Sequence, residues 1–72
     1  MKLDCQIIIK EELDLIEKVF EAEDKEFKRS GYSLKRTDDS IIINIYAQDP
    51  TALRATITSV TRILNIVRKT NG

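Results

Sequence analysis

Histidine and tryptophan are absent from this chain of 72 residues, which also has one cysteine, one proline and two glycines. Each shortage removes a kind of chemistry. Without histidine, an acid or base working near neutral pH has to come from Cys5, a lysine or paired carboxylates with perturbed ionisation. A lone cysteine excludes an internal disulfide and leaves only carboxylates for an ordinary zinc site. Gly31 and Gly72 cannot build a phosphate-cradling loop, a dinucleotide fingerprint or a Gly-x-x-Gly clamp. Aromatic residues are scarce, and Tyr32 and Tyr46 both fall in strand-like sequence, which leaves few platforms for stacked bases. No apolar run approaches the ~20 residues of a membrane span. The opening Met1-Lys2-Leu3-Asp4-Cys5-Gln6 carries charge where a secretory leader would be apolar. The expectation is a cytoplasmic protein with no membrane contact, no cofactor, no metal and no catalysis of its own.

Charge is balanced in total and uneven along the chain. The 12 basic and 12 acidic residues cancel, so no global field marks a nucleic-acid binder. Residues 1–24 hold eight acids against three lysines, and residues 25–36 hold five cations against Glu26. Residues 50–72 hold four cations and no acid, so a neutral sum can conceal a basic face. The length fits one domain over residues 1–72. A domain this small buries only about 60% of the surface its unfolded chain exposes. With disulfide and metal set aside, oligomerisation is the remaining support.

The periodicity changes several times along the chain. Leu3, Cys5, Ile7 and Ile9 alternate with polar neighbours, which predicts a strand over residues 2–9, with Ile8 apolar on the other face. Leu13, Ile16 and Phe20 then align at helical spacing with Leu15 and Val19 beside them, after acids suited to a first turn. That helix is expected over 11–23. A second strand is expected over 27–36, followed by the polar turn Thr37-Asp38-Asp39-Ser40 and a β-branched strand over 41–47. The last element is a long helix opened by Asp49, a capping residue, and Pro50, which suits the first helical position. The order β-α-β-β-α predicts an α+β fold: a three-stranded antiparallel sheet with two helices packed on one face.

The last helix carries two signals. Leu53, Ile57, Val60, Leu64 and Val67 form one apolar line, and Ala52, Thr56, Ile63 and Ile66 form a second beside it. Together they span roughly 180°, more than a core-facing stripe requires. The surplus, Ala52, Ile63 and Ile66 here with Leu15 and Val19 on the first helix, is buried between the two helices or by another chain. Arg54, Thr58, Arg62, Asn65 and Lys69 occupy the far side. Arg54, Arg62 and Lys69, with Lys35 and Arg36 from the second basic segment, are candidates for phosphate contacts; a solvated face is the alternative. Cys5 reads as a small core residue, and Glu11, Glu12, Asp14, Glu17 and Glu21 as the wet face of the first helix.

At Asp49-x-x-x-Leu53-Arg54-Ala55-x-x-x-Ser59-x-x-Arg62-x-Leu64 the chain resembles the Pcc-type small subunit of the KEOPS complex, in its archaeal form. The likeness is specific across 41–69 and rests on order and length across 1–40. It implies a non-catalytic β-α-β-β-α protomer that dimerises. It also implies docking of the helices on the catalytic subunit, which transfers threonylcarbamoyl to the adenosine following the anticodon of tRNA. Carried onto this sequence, it makes Leu15, Val19, Ala52, Ser59, Ile63 and Ile66 the candidates for partner binding. Arg54 and Arg62 match the motif, and tRNA contact through them would be weak or indirect. A divergent paralogue that pairs as a heterodimer is the variant left open, and a stand-alone RNA-binding module with a basic helix face is the alternative of another class.

Overall fold

The structure, a computed structural model, describes residues 2–71. Its elements are β1 (Leu3–Ile9), α1 (Leu13–Glu21), β2 (Ser30–Arg36), β3 (Ile41–Ala47) and α2 (Pro50–Asn71). The strands form one open antiparallel sheet in the order β1-β3-β2. β3 is central because it carries the densest β-branched run, and a strand with two neighbours is the one that most needs apolar residues. Its inward residues Ile41, Ile43, Ile45 and Ala47 are all buried. On that face they are flanked by Ile9, Ile7, Cys5 and Leu3 of β1 and by Arg36, Leu34, Tyr32 and Ser30 of β2. Among the described residues no helix lies on the opposite face, and Ile8 stands 58% exposed there.

Two differences from the sequence expectation are local and have physical causes. α1 begins at Leu13 because Glu12, at φ 55°, turns through the left-handed region, which a helix cannot continue from. β2 begins at Ser30 because the chain before it doubles back. The Phe27 amide donates to the Ser30 carbonyl at 2.8 Å, the Tyr32 amide donates to the Lys25 carbonyl at 2.9 Å, and Glu26 bridges Gly31. Residues 25–27 thereby cover the start of β2's outer edge, while the outer edge of β1 has no neighbouring strand among the described residues. The expected turn closes the β2–β3 hairpin. Thr37 N donates to Ser40 O, and the Thr37 hydroxyl accepts from the Ser40 amide.

α2 lies across all three strands, and α1 runs antiparallel beside it. The α1 start, at Glu11, Glu12 and Ile16, shares a hollow with Leu64, Val67 and Arg68 near the end of α2. Val19 and Glu23 at the other end of α1 face Ser59 and Ile63. The buried seam of α2 runs through Ala52, Thr56, Val60 and Val67, midway between the two apolar lines of the sequence. A wide arc settles with its centre on the core, which half-buries Leu53, Ile57 and Leu64 on one flank and Ser59 and Ile63 on the other. α1 contributes Ile16 and Phe20, and the Phe20 ring meets Tyr32 edge-on at 5.7 Å between centroids.

Candidate functional site

A groove of about 490 Å³ lies between α1 and α2. Its floor and walls include Val19 from α1 and Ser59, Ile63 and Ile66 from α2. The helical spacing that puts 59, 63 and 66 on one side of α2 also turns them away from the seam at Val60, so they are left for the groove. Ile66 is 56% exposed, an uncommon state for an isoleucine in a domain with so little core to spare. Phe27, 45% exposed, closes one end from the loop before β2.

Tyr32 forms part of the groove's lining and is only 3% exposed. Its hydroxyl is buried with no hydrogen-bond partner among the described residues. Burial holds the phenol above its ordinary pKa of 10.0, and the nearby carboxylates of Glu23 and then Asp24 push the same way. The hydroxyl therefore stays protonated, able both to donate and to accept. The groove is also divided in charge: Glu23 and Asp24 lie at the α1 end, and Arg62 lies on the α2 side.

Of the six residues expected to meet a partner, Val19, Ser59, Ile63 and Ile66 come together in this groove. Ala52 is buried and lines a separate hollow with Ala55, Thr56, Ser59 and the 27–30 segment. Leu15 is half-buried against the core. The five expected phosphate-binding cations do not form one surface. Arg54, Arg62 and Lys69 are exposed along α2. Lys35 projects from the helix-free face of the sheet, opposite Ile42 in register. Arg36 points to the helix side, where it pairs with Asp14 at 3.1 Å and Glu17 at 3.7 Å. Lys25, from the same basic segment, donates to the carbonyls of Phe20 and Glu23 and so closes the C-terminus of α1.

Sequence reasoning missed Tyr32 and Phe27 as groove residues. Tyr32 reads correctly as a sheet residue, and nothing in a period-2 pattern reveals that its hydroxyl lacks a partner. Phe27 falls inside a stretch that looks like strand and is turned outward only because residues 25–27 fold back. Among the described residues no group of three or more His, Cys, Asp or Glu side chains is placed to hold a metal ion. No described helix is long and apolar enough to cross a membrane.

The family model described as transcription factor Pcc1 matches residues 13–71, which takes in α1, β2, β3 and α2 and leaves β1 outside the matched span. No curated protein and no solved structure matches the chain.

Proposed function

We propose, on the footing that the chain belongs to the Pcc1 family of KEOPS subunits, that it is a non-catalytic dimerisation and scaffold subunit of that complex. In this reading its helical face binds the catalytic threonylcarbamoyltransferase subunit and thereby supports modification of the tRNA adenosine next to the anticodon, in the cytoplasm. The observation that carries it is the gathering of Val19, Ser59, Ile63 and Ile66 into one groove with Ile66 left exposed. An exposed isoleucine on a groove wall gains about 2 kcal/mol when covered, which gives a partner something to bind by and leaves the lone protomer with an unmet surface.

The other side of the molecule supports self-association. Among the described residues β1 has an unpaired edge, and Ile8 stands exposed on the open sheet face. The two sides are separate, so one chain can hold a second copy by its sheet and the catalytic subunit by its helices. The scattered cations speak for tRNA contact that is weak or shared with partners, since Lys35 and the α2 arginines lie on opposite sides of the sheet.

Co-purification tests this reading. Wild-type chain expressed with the catalytic subunit of its host's KEOPS complex is expected to elute with it, and Ile66→Glu is expected to elute alone while remaining folded. A strictly monomeric wild type that does not hold the catalytic subunit would sink the proposal.

A further inference from the structure

The end of the sheet where the chain enters β1 and β2 and leaves β3 holds a second hollow of about 440 Å³, within the ~300–1,000 Å³ of small-ligand sites. Register makes its rim. Ser30, Ala47 and Leu3 are partners across the three strands, so the next residues along, Arg29, Gln48 and Lys2, come to the same end of the sheet. The Gln48 amide fixes that row by donating to the Arg29 carbonyl at 2.9 Å. Lys2, Lys28 and Arg29 line the hollow against one acid, Glu26. Arg29 is paired with Asp49, whereas no ion pair joins Lys2 or Lys28 to an acid among the described residues. Rings meet cations here. Of two phenylalanines and two tyrosines, Phe20 and Tyr32 sit in the core, and Phe27 and Tyr46, 45% and 38% exposed, both line this hollow. Strand-like sequence around Tyr46 spoke against a stacking platform, but its ring reaches across to Gly31, which has no side chain to keep it away.

Two ammonium groups free of acids match the charge of one phosphate monoester, about −1.5 to −2 at pH 7, and an exposed ring beside them matches a planar base. We infer that the hollow binds a single nucleoside monophosphate, with Lys2 and Lys28 donating to its phosphate oxygens and its base stacked on the Tyr46 ring. Gln48, exposed on the same rim, carries in its side-chain amide the donor and the acceptor that a base edge can meet. One nucleotide is favoured over an RNA strand because the cations do not continue from this hollow. Arg54, Arg62 and Lys69 lie along α2, and Arg36 is tied to Asp14 and Glu17, so a longer backbone has no basic track to follow. An acidic peptide would use the lysines and leave the rings without a planar partner. The hollow is also separate from the two association surfaces. Ile8 pairs with Ile42, four residues along β3 from Tyr46, which is roughly 13 Å. The α1–α2 groove shares Phe27 alone with it among the described residues. Nucleotide binding here is therefore independent of the scaffold reading.

The test titrates the full chain with adenosine monophosphate and follows backbone amide shifts by NMR, with inorganic phosphate, adenosine and a short oligoribonucleotide as comparisons. Expected are saturable shifts concentrated at residues 27–31 and 46–48, a Kd for the monophosphate about tenfold or more below that for phosphate or adenosine, and weaker binding as salt rises. Tyr46→Ala and Lys28→Glu should each weaken binding about tenfold, the scale of a lost base stack or a lost charged hydrogen bond. Tyr46→Phe keeps the ring and should bind as the wild type does. Both positions are exposed, and thermal denaturation checks that each variant is folded. No saturable shift with the monophosphate overturns the inference. So does phosphate binding as tightly as the nucleotide, or Tyr46→Ala binding as well as wild type, since the ring is then no platform. The oligoribonucleotide binding where the monophosphate does not would make the hollow part of a longer track, with the same result. If Tyr46→Ala instead splits a dimer seen by light scattering, the hollow is a self-association surface and the inference fails. Co-purification of the wild type with the catalytic subunit is unchanged in every one of these cases, so failure here and failure of the scaffold reading are told apart.

Discussion

Arg29 reaches Asp49 at the foot of α2, its Nη1 3.3 Å from Oδ2, while Oδ1 of the same carboxylate accepts a hydrogen bond from the Ala52 amide at 2.8 Å. One carboxylate thus caps the long helix and ties it to the loop before β2, and the Gln48 amide donating to the Arg29 carbonyl reinforces the tie. The two bonds are unequal in value. The cap satisfies an amide that has no partner inside the helix, whereas the ion pair is mostly solvated, with the arginine side chain 60% exposed. Asp49→Ala is expected to cost about 1–2 kcal/mol in urea denaturation and Arg29→Ala no more than ~0.5 kcal/mol. Asp49→Asn, which keeps the cap, should fall between them.

On the helix-free face, Gly31 lies opposite Tyr46 in register, and a methyl group added to Gly31 would come within 2.3 Å of the tyrosine hydroxyl and 2.8 Å of the Lys25 carbonyl. The tyrosine can swing away; the carbonyl belongs to the fold-back that covers the β2 edge and cannot. Gly31→Ala is therefore expected to destabilise by about 1–3 kcal/mol, the range for forcing extra atoms into a packed site. Tyr46→Ala in the same chain should recover part of that loss and not all of it, a non-additivity that a double-mutant cycle measures.

The element order and the β2–β3 hairpin were legible in the sequence because they rest on strong local signals: the period of 2 in β1, the β-branched run of β3, the polar turn at 37–40 and the Asp49-Pro50 start of α2. The central place of β3 was legible too, in the β-branched and aromatic run that suits a strand with two neighbours, and with the hairpin it leaves β1 to the other side of β3. The groove was half legible. Surplus apolar positions at helical spacing marked Val19, Ile63 and Ile66, but spacing alone could not separate Ala52, which is buried, from Ile66, which stands more than half exposed. Arg36 shows the same limit. In the sequence it is one more cation of a basic segment, and only the register of β2 turns it inward to Asp14 and Glu17.

Thr56 is the polar residue within the buried seam of α2, at 2% exposure. Its hydroxyl lies 2.6 Å from that of Ser30 and donates to the Ala52 carbonyl one turn back, so the hydrogen-bond chain joins the helix to the edge of β2. Thr56→Val keeps the shape and strands the Ser30 hydroxyl, with an expected cost of about 1–2 kcal/mol. Adding Ser30→Ala removes the stranded group, and the double variant should be more stable than Thr56→Val alone. Denaturant midpoints of the three proteins check the order.

Tyr32 predicts a pH dependence with a definite sign. Its pKa in the folded protein is raised above the ordinary 10.0, chiefly by burial. A group that holds its proton more tightly when folded gives stability that is complete below its unfolded pKa, near 10, and that is lost as the pH rises through the folded value. Above about pH 10 the unfolded chain ionises this phenol while the folded chain resists, so unfolding gains the proton release. Lysines and the other tyrosine also titrate in that range, which is why the comparison has to be made by subtraction. Urea midpoints measured at intervals from pH 8 to pH 11 should fall more steeply for the wild type than for Tyr32→Phe, and the two curves should run parallel below about pH 9. Parallel curves throughout would mean that the phenol ionises as readily folded as unfolded, and so that its hydroxyl meets water in the groove.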